Sequence, residues 1–126
     1  MPEQALSRWM QTLIAYVRSG QPDLTNRQMA LMMIVYLTQG PHTVRGLAER
    51  LGVSKPVITR ALNTLGALGY LRRVRDDADR RNVFVAKTPT GQEFLERFGR
   101  NLEQVSERAG NATRAAGDRG LILQHG

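Results

Sequence analysis

Leu47-Ala48-Glu49-Arg50-Leu51-Gly52-Val53-Ser54-Lys55-Pro56-Val57-Ile58-Thr59-Arg60-Ala61-Leu62-Asn63 breaks at Gly52 into two helical halves, and that break decides the fold. Upstream of it, Val44 to Leu51 reads as about two helical turns with Val44, Leu47, Ala48 and Leu51 on one face. Gly52-Val53 makes a tight turn. Ser54 is placed to cap the next helix, Pro56 falls in the first turn where backbone donors have no partner anyway, and Ile58, Ala61, Leu62, Leu65 and Leu68 form a buried stripe that Gly69 closes. Two short helices joined by a glycine-containing turn form a helix-turn-helix.

Downstream, Tyr70 to Arg75 suits a strand, Asp76 to Asn82 a polar turn, and Val83 to Ala86 the returning strand, so a small β-hairpin follows the second helix as a wing. Thr88-Pro89 opens a further helix whose apolar face is Phe94, Leu95, Phe98, Leu102 and Val105, and which is expected to end near Gly110. Residues 111–126 contain three more glycines and are expected to form a frayed tail. Upstream, Gly40-Pro41 ends a helix that starts at Thr25, where Gln28 three residues on completes a capping box, and that is apolar on more than one face. Leu6, Met10, Leu13 and Val17, with Trp9 and Tyr16 beside them, predict an amphipathic first helix ending near Ser19-Gly20. The fold class is therefore mainly α with a small β-hairpin wing: a winged helix-turn-helix over residues 42–88, flanked by helices over 1–20 and 89–110, in a single domain of 126 residues.

Charge agrees with that layout. Between His42 and Lys87 ten basic residues face four acidic ones, a surplus of six within a total of +7, while the flanks are nearly balanced. A positive surplus confined to about a third of the chain suits a polyanion, here double-stranded DNA. There is no cysteine, which removes disulfides, thiolate zinc sites and thiol switches. No stretch approaches the roughly 18–20 apolar residues of a membrane span, and Met1 to Gln11 lacks the layout of a secretory signal, so a cytoplasmic location without membrane attachment is expected. His42 and His125 are the only histidines, and no paired-histidine or phosphate-cradling glycine motif occurs, so neither an enzyme nor a cofactor nor a metal site is expected. Asp76, Asp77 and Asp79 lack the ligand spacing of a calcium loop and read as a solvated turn.

With Ile58 and Leu62 turned inward, Lys55, Pro56, Thr59, Arg60 and Asn63 fall on the outer side of the second helix, near the end that reaches base edges when a helix lies in the major groove. Arg60 suits guanine, Asn63 adenine, the Thr59 methyl thymine, and Lys55 a phosphate. Ser54 can cap, bind phosphate, or do both. The alternative for Arg60 is a pairing with a nearby carboxylate. In the wing, Arg72, Arg73, Arg75, Arg80 and Arg81 suit the minor groove, with Asp79 orienting an arginine, against the alternative of a salt-bridged turn.

The run Leu24-Thr25 with Gln28 and Leu31, then Leu47 to Ser54, Thr59-Arg60, Leu65, Gly69-Tyr70-Leu71, Asp79-Arg80-Arg81, and Leu95 after Thr88-Pro89-Thr90-Gly91, resembles the MarR family of winged-helix regulators over about residues 24–95. The resemblance implies a DNA-binding transcriptional regulator, commonly a repressor, in which the helix at Ser54 enters the major groove and the wing approaches the minor groove. It implies a homodimer built from the N- and C-terminal helices; Leu6, Trp9, Leu13, Phe94, Phe98 and Leu102 are the candidates for that interface, with packing inside one chain as the alternative. It also implies a small aromatic effector, for which Trp9, Met32, Met33 and Tyr36 are candidate pocket residues, with a plain core role as the alternative. Two rival readings are a winged-helix protein-interaction adaptor and a non-specific DNA-binding protein.

Overall fold

The computed structural model describes the backbone of residues 1–125 and the side chains of residues 1–111. Its elements are α1 (Glu3–Arg18), α2 (Asn26–Leu37), β1 (His42–Thr43), α3 (Val44–Leu51), α4 (Lys55–Ala67), β2 (Leu71–Arg75), β3 (Val83–Lys87) and α5 (Pro89–His125). They fall into two compact units, one of Leu24–Glu96 and the other of Met1–Asp23 with the chain from Arg97 onward.

In the Leu24–Glu96 unit the local signals fold as their chemistry dictates. Thr25 and Gln28 form a reciprocal capping box at α2, the Thr25 hydroxyl accepting from Gln28 N at 3.1 Å and the Gln28 amide oxygen accepting from Thr25 N at 2.9 Å. Leu31, Met32 and Val35 of α2 are buried to within 1% of full exclusion from water, as an all-round apolar helix requires, although Leu37 at its end is exposed. Gly52 sits at φ +66°, a left-handed conformation that a side chain disfavours, which lets Val53 N donate back to Ala48 O and turns the chain from α3 into α4. Leu47 and Ala48 of α3 pack with Ile58, Ala61, Leu62 and Leu65 of α4 in the core.

The short extended piece that the sequence suggests at His42-Thr43 joins the wing as a third strand. His42 and Thr43 pair antiparallel with Val85 and Phe84, so the sheet has three strands in the order β1-β3-β2. Two residues are too few to show a period, and Thr43 is legible only through a local role: its hydroxyl accepts from Gly46 N at 3.0 Å and caps α3.

In the other unit α1 keeps the helical period but buries a different face. Leu6, Trp9, Met10, Leu13 and Val17, the apolar face that the sequence predicts, are between 40% and 74% exposed, whereas Thr12 and Tyr16 are buried. The Tyr16 ring meets Phe98 edge-on at 5.3 Å, and the Thr12 hydroxyl donates to Arg8 O at 2.9 Å, so its burial leaves no unpaired polar group. Helix α5 continues to His125, past the end expected near Gly110. Each interior glycine costs only about 1 kcal/mol relative to alanine, and no proline follows Pro89 to stop the helix. The side chains of the expected tail, 112–126, lie outside the described residues. Among the described residues no helix is long and apolar enough to cross a membrane.

Candidate nucleic-acid interface

Burial of Ile58, Ala61, Leu62 and Leu65 fixes the rotation of α4, and Lys55, Pro56, Thr59, Arg60 and Asn63 are consequently all exposed on its outer side. Ser54 occupies the cap position in an extended conformation, but its hydroxyl makes no capping hydrogen bond, so the expected capping role is not filled. The exposed hydroxyl stands beside Lys55 N, while Pro56 has no N–H and Val57 N donates to Ser54 O at 3.1 Å.

Three helix starts in this unit share an unusual feature. None of α2, α3 and α4 has an acidic residue in its first turn, and each carries a cation there, Arg27, Arg45 and Lys55 respectively. A cation at a helix N-terminus opposes the macrodipole, at a cost of about 0.5 kcal/mol each. The arrangement favours an anion brought from outside, which meets amide donors and a positive side chain at once.

Alternation along β2 separates the wing arginines. Leu71, Arg73 and Arg75 share one face while Arg72 and Val74 share the other, so the adjacent Arg72 and Arg73 diverge. Arg73 Nη2 donates to Asn63 Oδ1 at 2.8 Å, joining the wing to α4. Sequence reasoning gives Asn63 an adenine; in the structure its amide oxygen accepts from Arg73, which ties α4 to the wing. The tip is closed by Asp76 N donating to Asn82 O and Asn82 N to Asp79 O. The aspartates are used locally: Asp76 Oδ1 accepts from Ala78 N, and Asp79 Oδ1 accepts from both the amide and Nε of Arg81, at 3.1 and 3.2 Å. Among the described residues no group of metal-ligating side chains gathers.

Arg81 holds the Asp79 carboxyl below its ordinary value of 3.8, first through its side chain and then through its amide; Arg45 adds a smaller effect in the same direction, and desolvation opposes. Because the folded-state pKa is depressed, the stabilising pair is complete above the unfolded carboxylate range and is lost as pH falls through the folded pKa. The Arg81 amide resonance is therefore expected to titrate with the Asp79 carboxyl, with a midpoint below 3.8. A midpoint at or above 3.8 in an NMR titration would contradict the pairing.

Between α4, the start of α3 and the wing lies a cavity of about 290 Å³ into which Arg45, Lys55, Arg73 and Arg81 all project, with Thr59 on its wall. Sequence reasoning proposed Lys55, Thr59, Arg73 and Arg81 but missed Arg45; its wrong sign for the α3 dipole was the available signal. Arg60 lies on the other flank of α4, where a cavity of about 240 Å³ joins it to Arg27, Thr25 and Thr64. Its Nε donates to Pro56 O at 3.4 Å, so no carboxylate claims it among the described residues. Arg72, Arg75 and Arg80 are exposed but line neither cavity.

The residues proposed for an interface or a pocket separate in the same way. Leu6, Trp9 and Leu13 are exposed, but Phe94 and Phe98 are each 2% exposed, stacked on Tyr70 and edge-on to Tyr16, and have no surface to offer a second chain; Leu102 is half-buried. Met32 is fully buried, Met33 is half-buried, and the Tyr36 hydroxyl donates to Tyr70 O at 2.7 Å and accepts from Thr88 N at 2.9 Å. Neither they nor Trp9 line the cavities of about 620, 540, 290 and 240 Å³.

Known proteins share this arrangement. The MarR family model matches residues 23–82, which span α2, the helix-turn-helix and the wing to its tip. An HTH-type transcriptional regulator of Bacillus subtilis, YwhA, is 22% identical over 103 residues, 82% of this chain and 74% of that one. The crystal structure of transcriptional regulator Tm0710 from Thermotoga maritima superposes with a TM-score of 0.72 at 25% identity, covering 97% of this chain and 85% of that one. FabT of Streptococcus pneumoniae, solved in complex with DNA, superposes with a TM-score of 0.61 at 20% identity, covering 98% and 94%. The winged helix-turn-helix, the basic outer side of its second helix and the family match over that lobe lead to one conclusion: over residues 23–82 this chain carries the winged helix-turn-helix of the MarR family of transcriptional regulators.

Proposed function

We propose that the chain binds double-stranded DNA sequence-specifically as a homodimer and represses transcription by occupying its operator. The observation that carries this reading is the convergence of cations at the starts of α2, α3 and α4 with the wing arginines around the outer side of α4. Helix α4 lies in the major groove, with Arg60 donating to a guanine edge and the Thr59 methyl against thymine. Ser54, Lys55, Arg45 and Arg27 take phosphates, Pro56 packs against the groove wall, and Arg72, Arg75, Arg80 and Arg81 follow the wing into the minor groove. The exposed apolar face of α1 supplies the contact between two copies.

Selection from a random duplex library, with Arg60→Ala run in parallel at the same salt concentration, tests the reading. The expected result is a near-palindromic site with half-sites roughly 10 bp apart or a multiple of that. Arg60→Ala is expected to weaken binding by about 10- to 100-fold and blur one position per half-site, whereas Lys55→Ala weakens all sequences alike. Salt-sensitive binding without a motif would replace this reading with non-specific association, and no binding at all with the adaptor.

A further inference from the structure

The paired residues of the wing end at Leu71 with Lys87, and the same register would next oppose Tyr70 to Thr88. At that position a hydroxyl from α2 stands between the two backbones. Thr88 N donates to the Tyr36 hydroxyl at 2.9 Å, and that hydroxyl donates to Tyr70 O at 2.7 Å. Thr88 O, at 3.1 Å, is a second acceptor for its one proton. Tyr70 N is engaged in the turn that ends α4, where it donates to Leu65 O at 2.9 Å. One side-chain oxygen therefore joins α2, the end of α4 and both sides of the wing, all within the Leu24–Glu96 unit.

A part-buried tyrosine hydroxyl needs some partner, and any nearby carbonyl would serve. What distinguishes Tyr36 is that its partners flank the base of the hairpin, one before β2 and one after β3. Its oxygen sets the strand separation where the wing leaves the core. Gly91 lies against that oxygen, so close that a Cβ there would collide with it, and Lys87 Nζ of β3 lies 5.9 Å from the ring centroid. The other tether, from Arg73 to Asn63, is exposed and holds only β2. From Leu71 to Asp77 the wing extends roughly 20 Å at about 3.3 Å per residue, so a swing of about 10° at the base would carry its tip through roughly 3 to 4 Å. That exceeds the length of a hydrogen bond.

We propose that Tyr36 is a positioning residue for DNA binding: its hydroxyl fixes the strand spacing at the base of the wing and so holds Arg72, Arg75 and Arg80 at the minor groove. The proposal rests on the DNA-binding reading above. Without the hydroxyl, Thr88 N and Tyr70 O must either approach each other, which narrows the base, or stay unpaired; both let the wing swing. Folding does not depend on it, because phenylalanine keeps the ring and the Thr88 hydroxyl still donates to Gly69 O at 2.6 Å.

A double-mutant cycle on the full chain tests this, using one duplex recovered by library selection and one salt concentration throughout. Tyr36→Phe is combined with a wing variant carrying Arg72→Gln, Arg75→Gln and Arg80→Gln, and separately with Arg60→Ala on α4. A thermal melt accompanies each protein. Alone, Tyr36→Phe is expected to weaken binding about tenfold. In the wing variant it is expected to cost less than about twofold, whereas beside Arg60→Ala it still costs about tenfold. A general loss of structure would instead weaken binding by the same factor in all three backgrounds. That result, an unchanged affinity for Tyr36→Phe, or a Tyr36→Phe chain that fails to fold would each overturn the proposal. A parent chain that binds no duplex would overturn the DNA-binding reading and the proposal with it, and the parent's own titration tells the two failures apart.

Discussion

Gly91→Ala is expected to lower the melting temperature by about 10 °C or more, corresponding to roughly 3 kcal/mol in a chain of this size. The reason lies where α5 begins. The Thr88 hydroxyl donates to Gly69 O at 2.6 Å and accepts from Gly91 N at 3.0 Å. The Tyr36 hydroxyl sits against Tyr70 O and Thr88 N, and the Tyr70 ring stacks on Phe94 with centroids 4.6 Å apart. A methyl group at Gly91 would collide with both the Tyr36 hydroxyl and the Tyr70 carbonyl. One is pinned by three hydrogen bonds and the other is backbone, so neither yields cheaply. Trimming the tyrosine does not solve this: Tyr36→Phe removes its hydrogen bonds but leaves the carbonyl in place, so the double variant remains destabilised. Gly99→Ala in the same helix meets open space and is expected to stabilise by up to about 1 kcal/mol, which controls for helix propensity. A Gly91→Ala melt within 2 °C or so of the parent chain would show that this packing is not as tight as described.

Neutralising the cationic cavity beside α4, by Arg45→Gln, Lys55→Gln, Arg73→Gln and Arg81→Gln together, is expected to cut DNA affinity by about a thousandfold, roughly 4 kcal/mol. The dependence of log affinity on log salt concentration is expected to flatten by about 2, since each phosphate contact contributes a slope of about 0.9 and Arg45 and Lys55 are the two phosphate-binding residues among the four. All four side chains are exposed, and Arg45 and Lys55 oppose the dipoles of the helices that carry them. Stability should change by about 1 kcal/mol or less, because the exposed Arg73–Asn63 and Arg81–Asp79 contacts that are lost are offset by relief at the starts of α3 and α4, while binding collapses, a combination that a misfolded variant cannot give. A salt slope unchanged from the parent chain would place the phosphate contacts elsewhere.

What the sequence showed and what it concealed divide along a physical line. Features decided within a few residues were legible: the capping box of Thr25 and Gln28, the turn at Gly52, and the stripe of Ile58, Ala61, Leu62 and Leu65 that orients α4. Features decided by a distant partner were not. Strand β1 is only two residues long and exists because β3 accepts it. The period of α1 was legible, but which face it buries depends on Phe98, about eighty residues away. The exposed position of Asn63 was legible, but its engagement by Arg73 was not, because the pair forms only once β2 has folded back beside α4. Arg45 was visible as a charge and overlooked as a site, because its significance depends on the helix start beneath it.

The hydrogen bond between Asn63 and Arg73 also constrains how such a regulator can acquire a new operator. A replacement at Asn63 chosen to prefer a different base would release Arg73 and let the wing shift, altering contacts several base pairs from the intended change. Retargeting by single steps is therefore open at Thr59 and Arg60, whose side chains are tied to no other element of the fold among the described residues. It is closed at Asn63 unless position 73 changes with it, so the helix and the wing must drift as a pair.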